Sequence, residues 1–207
     1  MSLSLPHIGA LQAGTRNSIT DVAGVTAGHA TLAGGDIQTG VTVVRPHAGD
    51  QFRDKVPAAS VVLNGFGKSI GLVQVDELGV LETPIALTNT FAVGAVAQAQ
   101  IRQAVAANPQ IGRAWSTVNP LVFECNDGYL NDLQAFAVQD VHYDAAYAAA
   151  ADAFEQGAMD YLLKPVSREQ LNLILDQCVQ QIETERQQAE GEKAGADVLE
   201  ERLEIGR

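Results

Sequence analysis

Short runs of branched apolar residues, each closed by a glycine or a polar turn, fill the first part of the chain. Residues 22–32 and 40–46 are rich in valine and threonine and are bounded by glycines, a pattern that predicts strands. The same reasoning predicts strands over residues 58–63, 84–87 and 118–123, which lead into polar turns.

Two alanine-rich stretches predict helices. Residues 94–107 contain good helix formers and stop at Asn108-Pro109, where the proline disfavours a helical predecessor. A second helix is predicted to begin after Asp140, a suitable N-cap, and to continue to residue 155 or 156, with Gly157 in the C-cap place. Together with the strands, these helices predict a mixed α/β (α+β) fold.

The pattern changes towards the end of the chain. Ser167 and Gln170 form a capping box at the start of a segment in which apolar residues recur at helical spacing. This spacing predicts an amphipathic helix of about five turns. From residue 183 onward the apolar residues thin out, and the tail is acidic and polar.

Composition narrows the class of protein. Of the 207 residues, 46% are hydrophobic and 18% are charged, which argues for a packed core and against a disordered chain. The 25 acidic and 13 basic residues give a formal charge of −12. A nucleic-acid interface needs clustered lysine and arginine, so nucleic acid is not an expected partner.

The same composition bears on cellular location. No apolar run approaches the roughly 18 residues that a membrane span needs, so no membrane contact is expected. Residues 1–10 carry no basic region ahead of an apolar stretch, and no signal peptide is predicted. The two cysteines, Cys125 and Cys178, are too few for a disulfide framework. We therefore expect a cytoplasmic protein.

Three polar clusters at the ends of predicted strands are the candidate chemistry. They are residues 64–68 (NGFGK), 88–90 (TNT) and 124–128 (ECNDG). Sites are commonly built at strand ends, because loops there hold polar groups over a rigid sheet. Asn-Gly and Asp-Gly pairs are also ordinary turn residues, and each cluster taken singly favours a turn.

Other reactive residues have simpler interpretations. The four histidines are scattered without the spacing of metal ligands, so neither a metal nor another cofactor is predicted. Cys125 stands beside Glu124 but has no basic neighbour in the sequence. We interpret it as a small buried thiol and not as a nucleophile.

Ordered motifs over roughly residues 7–148 resemble a known family. They include residues 17–31 (NSITDVAGVTAGHAT), 39–44 (TGVTVV), 63–67 (LNGFG), 87–90 (LTNT) and 124–132 (ECNDGYLND). In order and spacing these motifs resemble the L-aminopeptidase/D-esterase family, whose members include the DmpA-type β-aminopeptidases.

That resemblance implies a fold and a reaction. The fold is a partial α-β-β-α layered sandwich of the DmpA and ornithine acetyltransferase type, here followed by the C-terminal amphipathic helix. The reaction is hydrolysis of a small peptide or amino-acid amide by an N-terminal serine that autoproteolysis frees. A free α-amino group, with an ordinary pKa near 8, serves as base for its own hydroxyl.

The resemblance also assigns roles to residues of the three clusters. Glu124 would bind the ammonium group of the substrate, as a carboxylate in a partly dry pocket can. Asn126 stands where some relatives carry a tyrosine that donates to the oxyanion. Asn64, Thr88 and Asn89 would line the site in supporting roles.

The motif match ends before the nucleophile. In the family, glycine-rich segments and a cleavage site follow the alanine-rich helix, and this sequence has none of them. Gly14-Thr15 is the only glycine followed by serine, threonine or cysteine, and it lies outside the family pattern. We therefore expect the 207 residues to be inactive alone, with no assignable nucleophile.

The segment after the alanine-rich helix resembles a different class. Residues 153–171 (AFEQGAMDYLLKPVSREQL) resemble the last strand and helix of a response-regulator receiver domain, in which the lysine matching Lys164 contacts the phosphoryl group. The aspartate pocket of receivers is absent from the sequence, so phosphotransfer is not expected. The predicted organisation is an aminopeptidase-like part (1–150), a receiver-like strand-turn-helix (151–185) and an acidic polar tail (186–207).

Two functions from different classes stay open. The chain is the N-terminal portion of an autoprocessing serine aminopeptidase, or it is a non-catalytic binding or assembly module. The second arises because half of a sandwich leaves apolar sheet surface uncovered, which favours association. A complementing chain or a homo-oligomer is then the expected partner. A natural or frameshift-derived fusion without an evolved function fits the two compositions equally well.

Overall fold

Residues 12–62 and 65–155 are described by the structure, which is a computed structural model. The predictions for Asn64 and for Gly157 lie outside the described residues. So do the capping box, the amphipathic helix, the acidic tail and nearly all of the receiver-like segment. The predicted boundaries near residues 150 and 185 stay predictions.

The described residues form seven strands, three α-helices and three short 3-10 helices. The strands are β1 (Thr26–Gly34), β2 (Ile37–Arg45), β3 (Val56–Pro57), β4 (Ser69–Ile70), β5 (Val80–Leu81), β6 (Ile85–Thr88) and β7 (Leu121–Glu124). The α-helices are α1 (Leu72–Leu78), α2 (Val93–Ala107) and α3 (Asp140–Glu155). Short 3-10 helices cover Ile19–Asp21, Thr90–Ala92 and Leu133–Ala135. This content confirms the predicted mixed α/β fold.

Five of the strands form one mixed sheet. Its order is β1-β2-β6-β7-β4, and β3 pairs with β5 in a separate two-stranded sheet. Neighbouring strands are antiparallel except β6 and β7, which run parallel. Parallel neighbours need a crossover connection, which helix α2 supplies.

Helices α2 and α3 cover one face of this sheet. Alternate side chains of β2, among them Val41 and Val43, are buried in a core with Val96 of α2 and Tyr143 of α3. Gly28 of β1 faces α3 so closely that a Cβ there would overlap backbone atoms of Ala146 and Ala150. The absence of a side chain at Gly28 thus permits the close strand–helix contact.

A buried glutamine fastens the two parallel strands. Gln100 of α2 is fully buried, and its Nε2 donates to the carbonyl of Pro84, just before β6, at 2.7 Å. Its Oε1 accepts from the N–H of Leu121, the first residue of β7, at 2.7 Å. One side chain therefore satisfies a main-chain group of each strand where the pair begins.

The opposite face of the sheet is only partly covered. Val75 of α1, Leu81 and Leu121 form a small core with the half-buried Ile85 and Phe123. One row of half-buried residues crosses that face in register: His29, Thr42, Leu87, Phe123 and Ser69. We call this side, which α2 and α3 do not contact, the open face.

The strand predicted over residues 58–63 is wrong for the residues that the structure describes. Strand β3 ends at Pro57, and the N–H of Ala58 makes a last bond to the carbonyl of Gly79 at 2.8 Å. No strand assignment follows in residues 58–62, where Val61 and Val62 are 79% and 59% exposed. A strand needs a hydrogen-bonded neighbour as well as a β-prone sequence, and beyond Ala58 no described strand pairs with this segment.

Other predicted boundaries shift by a few residues. Strand β1 begins at Thr26 and not at residue 22, because a turn closed by the Val25 N–H and the Val22 carbonyl at 3.0 Å precedes it. Strand β7 begins at Leu121, since the Asn119 N–H binds the Glu82 carboxylate instead of a strand. Helix α2 is confirmed to within one residue.

The second predicted helix differs at its start, and one helix was missed. Asp140 is the first helical residue of α3 and not its N-cap, and its carboxylate pairs with Arg102. Helix α1 was not predicted, because its seven residues are too few to show a helical period. Gly71 and Gly79, both at positive φ, flank it.

Replacing Gly28 by alanine should destabilise the fold. The new methyl group would overlap main-chain atoms of α3, which cannot move as a side chain can, so a loss of about 2 kcal/mol or more is expected. Urea unfolding followed by circular dichroism measures it. Gly34→Ala is the matched control, because a Cβ at Gly34 meets nothing within 4 Å. Equal stability of the two variants would contradict the close packing.

Stability should fall in alkali because of Tyr143. Burial of its ring raises the pKa of Tyr143 well above the ordinary 10.0. A group with a raised pKa in the folded state stabilises the fold below its unfolded pKa and loses that contribution as the pH rises further. Above pH 10 the unfolding free energy should therefore drop more steeply than in Tyr143→Phe, by up to about 1.4 kcal/mol per pH unit.

Urea unfolding at several pH values between 9 and 11 measures this difference. Tyr129→Phe is the control, because Tyr129 is 85% exposed and its substitution should leave the pH profile unchanged. Parallel profiles for the unaltered chain and Tyr143→Phe would be inconsistent with the burial effect.

Candidate active site

The described residues of the three predicted polar clusters meet at one edge of the sheet. Thr88, the last residue of β6, is in register with Glu124, the last residue of β7, and the Cys125 N–H donates to the Thr88 carbonyl at 2.7 Å. The Glu124 N–H donates to the carbonyl of Lys68 at 3.1 Å. A Cβ placed on Gly67 would lie 3.8 Å from Glu124 Oε1. The parallel strands β6 and β7 bring their carboxyl ends together at this edge, and the antiparallel strand β4 begins there, which accounts for the convergence.

Glu124 is the residue at the centre of this edge. Its side chain is half-buried, and its Oε2 is buried without a hydrogen-bond partner among the described residues. An unpaired buried acceptor costs roughly 1–3 kcal/mol, and more if it is charged. Such an atom is therefore suited to receive donors from a bound ligand, and an ammonium group also matches its charge.

Thr88 and Asn89 are buried and fully used within the fold. The Thr88 hydroxyl donates to the Gly40 carbonyl at 3.0 Å. The Asn89 Nδ2 donates to Thr39 Oγ1 at 2.9 Å, and its Oδ1 accepts from the Ala92 N–H at 3.0 Å. These bonds join β2, β6 and the beginning of the α2 region. The lining roles of Thr88 and Asn89 stay predictions.

Asn126 lies on the surface at the same edge. It is exposed, and its Oδ1 accepts from the Gly128 N–H at 3.0 Å. This is the geometry of a side-chain turn, the simpler interpretation of the Asn-Asp-Gly sequence. The oxyanion role of Asn126 stays a prediction.

Cys125 does not have the environment predicted for it. It is exposed and takes part in no disulfide, so the interpretation as a small buried thiol is wrong. Residue 125 is the first position after β7, where the chain leaves the sheet. The apolar environment of Cys125 was inferred from its residue type alone. Its exposure depends instead on its position just beyond the end of β7.

Thr90 was not selected from the sequence as a site residue. It begins the 3-10 helix that follows Asn89, and its Oγ1 is buried with no hydrogen-bond partner among residues 12–62 and 65–155. The sequence carried a signal, since Thr90 is the third member of the TNT cluster. Its burial without a partner was visible only in the structure.

An aromatic pair flanks this edge. Phe91 and Phe136 stack with ring centroids 5.8 Å apart, and they are 50% and 65% exposed. Phe136 has a φ of 47°, an unusual conformation for a bulky residue. The pair places apolar surface next to the polar cluster.

A cavity lies at the opposite edge of the sheet from Glu124. Its volume is about 190 Å³, and its lining includes Arg45 at the end of β2. Arg45 donates to the Ala48 carbonyl at 2.8 Å and packs over the ring of Tyr147. Glu82 also lines the cavity. Its carboxylate accepts hydrogen bonds from the N–H and the Nδ2 of Asn119, both at 3.0 Å. These bonds hold the neighbouring loops in place.

Metal sites and membrane helices were also sought in the part of the chain that the structure describes. No group of three or more histidine, cysteine or acidic residues there could hold a metal ion. The helices of that part are too short or too polar to span a bilayer.

Comparison with known proteins gives consistent matches. Residues 17–159 match the family model described as Peptidase family S58. The curated beta-peptidyl aminopeptidase BapA of Sphingosinicella xenopeptidilytica is 38% identical over 146 residues, which are 66% of this chain and 36% of that protein.

Solved structures agree. The PH0078 protein of Pyrococcus horikoshii OT3 has a TM-score of 0.66 and 42% identity, over 69% of this chain and 43% of that one. The L-aminopeptidase D-Ala-esterase/amidase of Ochrobactrum anthropi, described as a prototype for the serine aminopeptidases and a variant of the Ntn hydrolase fold, has a TM-score of 0.60 and 28% identity. That match covers 70% of this chain and 42% of the other. The chain spans about two fifths of the length of these relatives.

Proposed function

The chain belongs to peptidase family S58, and from that membership we propose that it is the N-terminal, substrate-recognising portion of an autoprocessing serine aminopeptidase. The substrate is a small peptide or amino-acid amide that loses its N-terminal residue. We further propose that these 207 residues have no activity by themselves. Membership of the family agrees with the resemblance found in the motifs.

The buried, unpaired carboxylate oxygen of Glu124 carries this proposal. An aminopeptidase must distinguish a free amino terminus from an internal peptide bond, and the positive charge of the ammonium group is the main difference. A half-buried carboxylate interacts with an ammonium more strongly than one in open water, because the effective dielectric constant is lower. Glu124 thus provides the selectivity for the chain end.

Fixing the ammonium group also positions the bond to be cleaved. The first carbonyl lies a constant number of bonds from the amino group, so a substrate held at Glu124 presents that carbonyl at a defined distance. Thr88 and Asn89 keep the edge rigid through their bonds to β2. Asn64 and Asn126 complete the proposed site as lining residue and oxyanion donor.

The proposed inactivity follows from the missing nucleophile. Hydrolysis by this mechanism needs a hydroxyl beside a newly made α-amino group. In the 207 residues, Gly14-Thr15 is the only glycine followed by a hydroxyl or thiol residue, and it lies outside the family pattern. These residues therefore supply substrate binding without the attacking group.

Glu124→Gln should weaken binding of L-alaninamide to the chain by about tenfold or more, because the amide keeps the shape of the carboxylate and removes its charge. Titration followed by nuclear magnetic resonance measures the affinity. Glu77→Gln is the control, because Glu77 is exposed on α1. Equal affinity of Glu124→Gln and the unaltered chain would refute the ammonium site.

Separate measurements test the proposed lack of activity. The purified chain should remain one species at 21.9 kDa by intact mass and should not hydrolyse alanine p-nitroanilide or β-alanine p-nitroanilide. Turnover that Glu124→Ala abolishes would show that the chain is active alone.

The open face supports a second candidate function, an assembly module. Leu87 and Phe123 lie half-buried in one row of that face. Val61 and Phe66, in the segment that leads into α1, and Val73 of α1 are 79%, 77% and 77% exposed. Exposed apolar side chains of this kind favour association. Because the chain spans 36% of BapA, we propose that a polypeptide corresponding to the remaining part of a family member covers the open face.

Mixing experiments test this association. The chain and the separately produced part of BapA beyond the matched region should form a 1:1 complex in size-exclusion chromatography. Leu87→Glu should weaken the complex about tenfold or more, because it places a charge on the open face. Val141→Glu is the control, since Val141 is 60% exposed on α3. Failure to form a complex, or concentration-dependent self-association of the chain instead, would contradict the proposed partner.

A further inference from the structure

Thr90 has a buried hydroxyl that the fold does not use. The residue is half-buried, but its Oγ1 is shielded from solvent and has no hydrogen-bond partner among the described residues. In the neighbouring Asn89, by contrast, both polar atoms of the side chain form hydrogen bonds within the protein. Valine has nearly the same shape as threonine and would avoid burying an unpaired hydroxyl.

The sheet places Thr90 at the same edge as Glu124. Thr88 and Glu124 are in register at the ends of β6 and β7, and Thr90 follows Thr88 by two residues. The bond from the Cys125 N–H to the Thr88 carbonyl, at 2.7 Å, holds the two chain segments together at this point. Two buried side-chain oxygens without partners among the described residues thus belong to one edge of the sheet.

We infer that the Thr90 hydroxyl and the Glu124 carboxylate together bind the primary ammonium group of the substrate. The inference rests on the proposed function, because it adds a second acceptor to the same ammonium site. A primary ammonium has three N–H donors, and a hydroxyl offers acceptor lone pairs. Glu124 supplies the opposite charge, and Thr90 supplies a neutral acceptor that fixes the direction of the C–N bond. Thr90 therefore determines specificity for an unmodified amino terminus.

This role predicts discrimination between amines. L-Alaninamide can donate to both oxygens, whereas N,N-dimethyl-L-alaninamide has a single N–H and can satisfy only one. The unaltered chain should bind L-alaninamide at least fivefold more tightly than N,N-dimethyl-L-alaninamide. Thr90→Val should bind L-alaninamide about five- to tenfold more weakly than the unaltered chain and should bind the dimethylated amide with unchanged affinity, because only the second acceptor is lost.

Stability separates this role from a structural one. If the hydroxyl serves the ligand, Thr90→Val should unfold at the same urea concentration as the unaltered chain or at a higher one. If the hydroxyl has a structural partner, the variant should unfold at a lower concentration. Thr90→Ser retains the hydroxyl and should restore most of the affinity for L-alaninamide. Thr117→Val is the control substitution, because Thr117 is exposed at the opposite edge of the sheet.

The outcomes distinguish this inference from the function on which it rests. Loss of L-alaninamide binding in Glu124→Gln and in Thr90→Val, with stability retained in Thr90→Val, would support it. Loss in Glu124→Gln with full binding in Thr90→Val would overturn the role of Thr90 alone. A clear loss of stability in Thr90→Val would also overturn it. Binding that Glu124→Gln leaves unchanged would overturn the proposed function and the inference together.

Discussion

The buried side chain of Gln100 is the contact on which the arrangement of the sheet edge depends. Two short parallel strands have few hydrogen bonds with which to define their register, and β6 and β7 have four residues each. Gln100 satisfies a main-chain group at the start of each strand, at 2.7 Å in both cases. Since both strands have the same length, a register set at their beginnings also aligns their ends. Thr88 and Glu124 therefore come to lie side by side.

The polar residues at this edge fall into two groups. Thr88 and Asn89 are buried, and their side chains are bonded to β2 and to the start of the helical segment. They give rigidity to the edge that contains the proposed binding site. Glu124 and Thr90 each keep a buried oxygen without a partner among the described residues. An unpaired buried oxygen lowers stability, and a ligand with matching donors would remove that penalty. The two groups together suit a preformed site for a cation.

The two faces of the sheet have different surroundings. Helices α2 and α3 seal one face, where Gly28 lets α3 approach the strands closely. The open face keeps a half-buried row that includes Leu87 and Phe123. The family relatives are more than twice as long as the matched region. The partial coverage of the open face and the partial match to the family thus agree with one proposal, in which further polypeptide completes the fold.

Local patterns in the sequence were sufficient for helix α2, for the positions of β2 and β6 and for the three polar clusters, because helix propensity, strand propensity and turn residues act over a few neighbouring positions. The family motifs added Glu124 as the residue predicted to bind the substrate.

The contacts across the fold decided the rest of the structure. Residues 58–62 have the composition of a strand but lack a pairing neighbour in the described structure, and Cys125 is exposed because β7 ends before it. Likewise, three consecutive polar residues in TNT look equivalent in the sequence, yet Thr88 and Asn89 are bonded within the fold while the Thr90 hydroxyl is not bonded to any described residue. Pairing and burial depend on which atoms lie opposite a residue, and only the tertiary structure specifies those atoms.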